Sequence, residues 1–310
     1  MRYALPIIAL ALTLPAAAEI GHQPFTIQET GQGFAQLQDA LMAVRGRDAT
    51  ILIAPGIYRQ CGIQQAGHII FRAVEPGTVI FDGATCEGKA ALVLRGAGST
   101  VDGIMFRNMR VGDGNGAGIR IEIGDLTVTN SMFVDSQEGI LGATSDPTTI
   151  VIDHSTFSGL GQCDETPDCA HSVYLASTGS VRVTNSRFER GRGGHYLKLR
   201  VPNVVVTDSS FDDSAGHRTN YAIDLPDGAT GLIARNTFVQ GPDKENWTGF
   251  IVVAAEQRKY RSTGLRIEDN RASLAPGQSR SPAFVADISH DRLAIGANRL
   301  GAGVRAFEQR

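Results

Sequence analysis

One eight-residue segment recurs along the chain and constrains the fold more than any other feature. Leu126-Thr-Val-Thr-Asn-Ser-Met-Phe133, Ile150-Val-Ile-Asp-His-Ser-Thr-Phe157, Val181-Arg-Val-Thr-Asn-Ser-Arg-Phe188, Val204-Val-Val-Thr-Asp-Ser-Ser-Phe211 and Gly231-Leu-Ile-Ala-Arg-Asn-Thr-Phe238 align without gaps, and Leu265 to Asn270 and Leu293 to Asn298 echo them. The terminal phenylalanines lie 24, 31, 23 and 27 residues apart. A unit this short cannot bury its own apolar face. It has to stack on copies of itself, and the variable spacing then reflects loop insertions. The Leu-x-x-Leu-x-Leu frame of leucine-rich repeats is absent.

Each unit carries a second short strand: Ala91 to Leu94, Gly118 to Ile121, Gly139 to Gly142, Ser172 to Leu175, Tyr196 to Leu199, Ala222 to Leu225 and Phe250 to Val253. Strand side chains alternate, so the second and fourth positions, mostly aliphatic, fill a core and the third faces outward. The 36 glycines and 6% aromatic content suit many tight turns better than long helices. With a net charge of −3 and no basic run, the chain offers no nucleic-acid surface. The repeated Asn130-Ser131 and Asn185-Ser186 pairs are expected to form a structural ladder of hydrogen bonds inside the bends.

Met1-Arg2-Tyr3, the apolar run Ala4 to Leu14, and Pro15-Ala-Ala-Ala18 have the pattern of a secretory signal peptide cleaved after Ala18, so residues 1–18 are expected to be removed. The run is too short for a membrane span, and no later stretch is long enough. Residues 19–310 then form one domain. Phe34, Leu37, Leu41 and Val44 fall at helical spacing and predict a helix over about 33–46. It leads into Ala49-Thr-Ile-Leu-Ile-Ala-Pro-Gly-Ile-Tyr58. This combination resembles the N-terminal cap and first coil of right-handed parallel β-helix proteins of the pectate lyase-like superfamily, in which a helix plugs the open end. The resemblance implies an all-β, single-stranded right-handed parallel β-helix of about nine to ten coils with a short capping helix. In an exported chain four cysteines suggest two disulfides. Sequence context favours Cys61 with Cys86, about one repeat apart, and Cys163 with Cys169, which bracket one loop. A four-cysteine zinc site would be the alternative, but there is no Cys-x-x-Cys.

With the coils in register, the outward third position reads Val93, Arg120, Leu141, Tyr174, Lys198, Asp224, Val252. The column before the strand reads Ala117, Glu138, His171, His195, Tyr221, Gly249, and the column after it includes Glu122, Arg200 and Pro226. Neighbouring coils sit about 4.8 Å apart, which makes Tyr174, Lys198 and Asp224 direct neighbours. Inserted loops at Gly112 to Gly116, Gly161 to Cys169, Asp212 to Asn220 and Gly241 to Trp247 leave one corner and can wall a groove. Lys198, His195, His171, Tyr174, Arg200 and Tyr221 are the catalytic candidates. Arg120, Asp224, Glu138, His217 and Arg218 are the substrate-binding candidates.

A glycosidase of the usual kind needs two carboxyl groups about 5 to 9.5 Å apart. Glu138 is three coils from Asp224, or roughly 14 Å by ladder spacing. Eliminative cleavage of a uronate polymer instead needs a cation for the substrate carboxylate, a base for the acidified carbon proton and an acid for the leaving oxygen. Lys198 and Arg200 supply charge, and the histidines and tyrosines are candidates for proton exchange. The row is similar to β-helix polysaccharide lyases in residue type only, since no named family's motif maps onto it. The expected activity is therefore lyase cleavage of an acidic polysaccharide by a secreted or periplasmic protein. A β-helix glycoside hydrolase and a non-catalytic glycan-binding protein are the alternatives. No metal site or cofactor is expected. Asp164, Glu165 and Asp168 read as a solvated acidic loop in preference to a calcium site.

Overall fold

The computed structural model describes residues 23–144 and 146–310, so the expected signal peptide lies outside the described residues. Each coil contributes one strand to each of three sheets. In one coil these are Asp125–Thr129, Met132–Val134 and Glu138–Ala143, and in the next Thr149–Asp153, Thr156–Ser158 and Val173–Ala176. The sheets hold 12, 10 and 10 strands, and each strand pairs in parallel with its equivalents one coil before and after. Among the described strands antiparallel pairing is confined to the N-terminal end of the first sheet, where Phe25–Ile27 pairs with Gln32–Phe34 on one side and Ala49–Ile53 on the other. The result is an all-β parallel solenoid of about nine turns.

The repeated phenylalanine explains how the coils stay in register. Phe81, Phe106, Phe133, Phe157, Phe188, Phe211 and Phe238 lie one above another, each no more than 1% exposed. Ring centroids from Phe133 to Phe238 are 4.7–4.9 Å apart with planes 6–8° from parallel. The bend between the first two sheets repeats as strictly. Asn130, His154, Asn185, Asp208, Arg235 and Asp269 all take the left-handed conformation, with φ between 44° and 57°. The next residue's side chain accepts the backbone N–H one coil earlier: Ser131 N–H to Ser155 Oγ at 3.3 Å, Ser155 N–H to Ser186 Oγ at 3.2 Å and Ser186 N–H to Ser209 Oγ at 3.1 Å. Asn236, Asn270 and Asn298 continue the ladder at 3.0 Å per step. The expected ladder is therefore carried by the second residue of each pair, and the first supplies the turn.

The capping helix is shorter than the predicted span. It covers Leu37–Val44, because Gln32–Phe34 is drawn into the sheet edge as a strand. Leu37, Ala40, Leu41 and Val44 close the core at that end. Both disulfides pair as expected, Cys61 with Cys86 and Cys163 with Cys169.

Replacing Phe157 with Ala removes one ring from the middle of the stack and should destabilise the solenoid by about 3–5 kcal/mol. Denaturant unfolding followed by circular dichroism measures this. An unchanged midpoint would show that the aromatic column is not what holds the coils together.

Candidate functional site

The third sheet carries the polar row. Backbone register places Tyr174 opposite Lys198, Lys198 opposite Asp224 and Ala176 opposite Arg200. Away from this row the outer column is mostly apolar and covered, with Val93 and Val252 0% exposed and Leu141 9%, and Arg120 interrupts it between Val93 and Leu141. The middle coils therefore concentrate the chemistry. A groove of about 510 Å³ lies over them, lined on the sheet side by Glu138, His171, Tyr174, His195 and Lys198. Asn115, Pro167, Asp168, Cys169, Asn220 and Glu245 form its wall. These wall residues come from the inserted loops, as the spacing of the repeats predicts.

A buried network fixes part of that wall. Asp213 Oδ1 accepts from Tyr196 Oη at 2.8 Å and Thr219 Oγ1 at 2.7 Å, and Oδ2 accepts from the Gly241 N–H and faces Lys244 Nζ, each at 3.1 Å. Burial pushes the Lys244 amine down in pKa and the Tyr196 phenol up, but every oxygen of Asp213 has a partner. Such a network is costly to break from either side. It ties the 212–220 and 241–247 loops to the solenoid.

The two histidines stack with ring centroids 5.0 Å apart, each 7% exposed. His171 Nδ1 accepts the His195 N–H at 3.0 Å, and His195 Nδ1 accepts the Tyr221 N–H at 3.2 Å. A ring nitrogen that accepts from a backbone N–H carries no proton, so each neutral imidazole bears its proton on Nε2. His195 Nε2 lies 3.4 Å from Asp224 Oδ2. Burial, reinforced by Lys198, lowers the His171 pKa to about 3. Burial together with His171 and Lys198 holds His195 well below its ordinary value. Both rings are thus neutral donors with no free lone pair. The His195 ring is therefore buried and carries backbone structure. Gly194 permits the close approach: its φ is 59°, and a Cβ there would lie 2.3 Å from His171 Nδ1.

The cations lie farther along the sheet. Arg200 Nε donates to Tyr174 Oη at 2.9 Å, and its guanidinium carbon lies 5.9 Å from the Tyr174 ring centre. Lys198 Nζ lies 5.7 Å from the same ring centre, 3.8 Å from Asp224 Oδ2 and 2.6 Å from Glu256 Oε1. Arg200 also pairs with Asp227 and with Glu256 Oε2. Asp224 is 2% exposed and Oδ1 has no partner. Burial, partly offset by Lys198, raises its pKa to about 7. It lies outside the groove lining and faces Lys198 Nζ and His195 Nε2.

The remaining candidates are dispersed. Glu138 is 1% exposed and lines the groove. Its Oε1 accepts the His171 N–H at 3.2 Å, Oε2 has no partner, and burial raises its pKa well above the usual carboxylate range. Tyr221 Oη accepts from Asn246 at 2.6 Å. Arg120 lies two register positions from Tyr174, beyond Leu141. His217 and Arg218 stand outside the groove lining. His217 Nδ1 lies 2.6 Å from Asp243 Oδ2, and Arg218 pairs with Asp164, because the loop carrying them folds against its neighbours. Glu165 is held by Arg110 and Gln137. Sequence reasoning missed Glu256, and it left Asp227, like Asp212 and Asp213, open only as a loop carboxyl that could partner Asp224. Asp227 follows Pro226 in the column after the strand, a weak signal. Glu256 lies 58 residues from Lys198, in an insertion after Gly249–Val253, and no register argument reaches it.

In-register parallel coils, an aromatic core column and one loop-walled polar groove define a β-helix protein whose groove lies on the side of the solenoid. A family model described as right handed beta helix region matches residues 90–272, more than half of the chain, and the chain belongs to that family. No curated protein matches the sequence. Among solved structures the chain is similar to an alginate lyase from Paenibacillus sp. str. FPU-7, with 16% identity and a TM-score of 0.67 over 88% of this chain and 94% of that one. The right-handed β-helix expected from the N-terminal cap and the repeats is thus the fold of the chain. No helix among the described residues is long and apolar enough to cross a membrane.

The raised pKa of Asp224 has a consequence for stability. A carboxyl whose pKa is about 7 when folded and about 4 when unfolded stabilises the fold fully below pH 4, and that contribution is lost as pH rises through 7. Asp224→Asn removes the titration. Its stability relative to the wild type should therefore improve by an amount on the order of a few kcal/mol between pH 4.5 and pH 8. Chemical denaturation at the two pH values checks this, and a pH-independent difference would contradict it.

Proposed function

We propose that the protein is an exported polysaccharide lyase that cleaves a uronate-containing polymer by β-elimination. The observation that carries this reading is the Arg200–Tyr174–Lys198 cluster: Tyr174 and Lys198 line an open groove, and Arg200 is hydrogen-bonded to the Tyr174 hydroxyl beside it. In the reaction the carbon next to the sugar carboxylate loses its proton to a base, a carbon–carbon double bond forms and the bond to the glycosidic oxygen breaks. The departing oxygen then takes a proton. Lys198 and Arg200 neutralise the carboxylate and so stabilise the carbanion-like charge that builds up on it. Tyr174 Oη, which accepts from Arg200 Nε, takes the carbon proton as the phenolate and passes it to the departing oxygen, so one residue serves as base and then as acid and the proton is conserved. His171 and His195, with Nδ1 occupied and Nε2 protonated, orient the row as donors and do not abstract the proton.

The hydrolase alternative is less favoured: Asp224 and Glu256 both face Lys198 Nζ, at 3.8 and 2.6 Å, and so come within a two-carboxyl spacing, but both are engaged in pairing that ammonium. Glu138 and Asp224 are three register steps apart, about 14 Å, beyond the span of a two-carboxyl mechanism. Two disulfides suit an extracytoplasmic protein and agree with the expected signal peptide. The likeness to a chain titled alginate lyase makes alginate the first polymer to test.

Incubation with alginate, polygalacturonate and glucuronate-containing polymers should generate unsaturated ends that absorb in the ultraviolet. Tyr174→Phe and Lys198→Ala should each lower the rate by at least about 100-fold. Their melting temperatures should stay near wild type, since neither side chain fills the core. New reducing ends without absorbance would mean a hydrolase, and binding without cleavage a non-catalytic protein.

A further inference from the structure

Glu256 takes no part in the proton transfers, yet it makes the closest contacts with the two cations that the reaction needs. It sits on the segment after strand Gly249–Val253, where the Glu256 and Gln257 N–H groups both donate to Pro226 O, at 3.0 and 2.8 Å. From there the side chain reaches back across two coils. Oε1 accepts from Lys198 and Oε2 from Arg200, so a single carboxylate bridges both cations.

The burial of the partners shows which side of the cations this carboxylate occupies. Each cation also has an inner carboxyl: Asp224 for Lys198 and Asp227 for Arg200, with side chains 3% and 7% exposed. The side chains of Lys198 and Arg200 are 13% and 18% exposed, and that of Glu256 is 43% exposed. The inner positions are thus filled from a strand and the turn after it, both parts of the solenoid. The outer one is filled by a flexible side chain facing solvent. A ligand carboxylate that is to bridge both cations from outside competes with Glu256 for that outer position.

We infer that Glu256 occupies the seat of the substrate's uronate carboxylate, and that binding exchanges one carboxylate for another. This inference rests on the lyase reading of the same site. The exchange makes the seat selective, since a neutral sugar has no group to replace the Glu256 charge on Lys198 and Arg200 and leaves the latch closed. It also sets how the latch opens. Partial burial works against the charged form of Glu256, but the hydrogen bonds from Lys198 and Arg200 outweigh it and keep its pKa below the ordinary value. The carboxylate therefore stays ionised under mildly acidic conditions, and the ligand displaces it where a pH change does not.

The test compares Tyr174→Phe, which binds without turnover, with Tyr174→Phe/Glu256→Gln and Tyr174→Phe/Glu256→Ala. Calorimetry measures binding of oligosaccharides from whichever uronate polymer the wild type cleaves, with a neutral oligosaccharide as control. Both Glu256 variants should bind the uronate at least tenfold more tightly, with no change for the neutral sugar. In the otherwise wild-type enzyme, Glu256→Gln should lower KM for the uronate polymer. Equal or weaker uronate binding in a protein that cleaves the polymer would overturn the inference and leave the lyase reading standing, with Glu256 a strut that holds the cations in place. A wild type that neither cleaves nor binds any uronate polymer would overturn both.

Discussion

Everything in this molecule depends on the in-register hydrogen bonding of parallel strands from one coil to the next. A parallel ladder fixes the rise per coil at about 4.8 Å, and a slip of one residue would turn every core side chain outward. The phenylalanine column and the Ser/Asn ladder guard against that slip in different ways. The first rewards perfect stacking of rings 4.7–4.9 Å apart, and the second ties each bend to the next through a side chain that also satisfies a buried N–H. Because register is held so firmly inside the solenoid, it is also held outside. Tyr174, Lys198 and Asp224 are neighbours for the same reason that Phe157, Phe188 and Phe211 are.

The site shows what such a rigid frame allows. Buried ionisable groups are expensive, and here they are accommodated by becoming neutral or by pairing. His171, His195 and Glu138 take the first route, with pKa values moved toward the uncharged form. Arg200 takes the second, held between Asp227 and Glu256, and Lys198 likewise faces two carboxyls. The polar row therefore divides into neutral imidazoles at one end and compensated cations at the other, with Tyr174 between them: its ring meets His171 edge-on at 5.4 Å and its hydroxyl faces Arg200. The loops add the walls, and the Asp213–Lys244 network keeps two of them in place.

What could be read from the sequence follows the same division. Whatever repeats with the coil was legible: the stacked strands, the aromatic column, the polar row and the corner from which the loops leave. Both disulfides were too, because each joins residues within one loop or one turn of the solenoid. What depends on a loop's own path was not. Glu256 reaches cations 56 and 58 residues away, and the loop bearing His217 and Arg218 turns toward Asp243 and Asp164 instead of the groove. Burial of the row was hidden for the same reason. Register places Asp224 and His195 on an outward-facing surface, and only the folded loops show that this surface is covered. The histidine tautomers are set by backbone N–H groups one coil away, which no side-chain pattern records.

The central claim is that the Lys198–Arg200 pair receives a uronate carboxylate directly above Tyr174. A crystal structure of the Tyr174→Phe variant with a bound uronate oligosaccharide tests it most directly. The account predicts a sugar carboxylate within hydrogen-bond distance of both Lys198 and Arg200, Glu256 swung away from them, and a glycosidic oxygen over the ring edge from which the Tyr174 hydroxyl has been removed. An oligosaccharide bound elsewhere on the solenoid, with Glu256 still bridging the two cations, would contradict it.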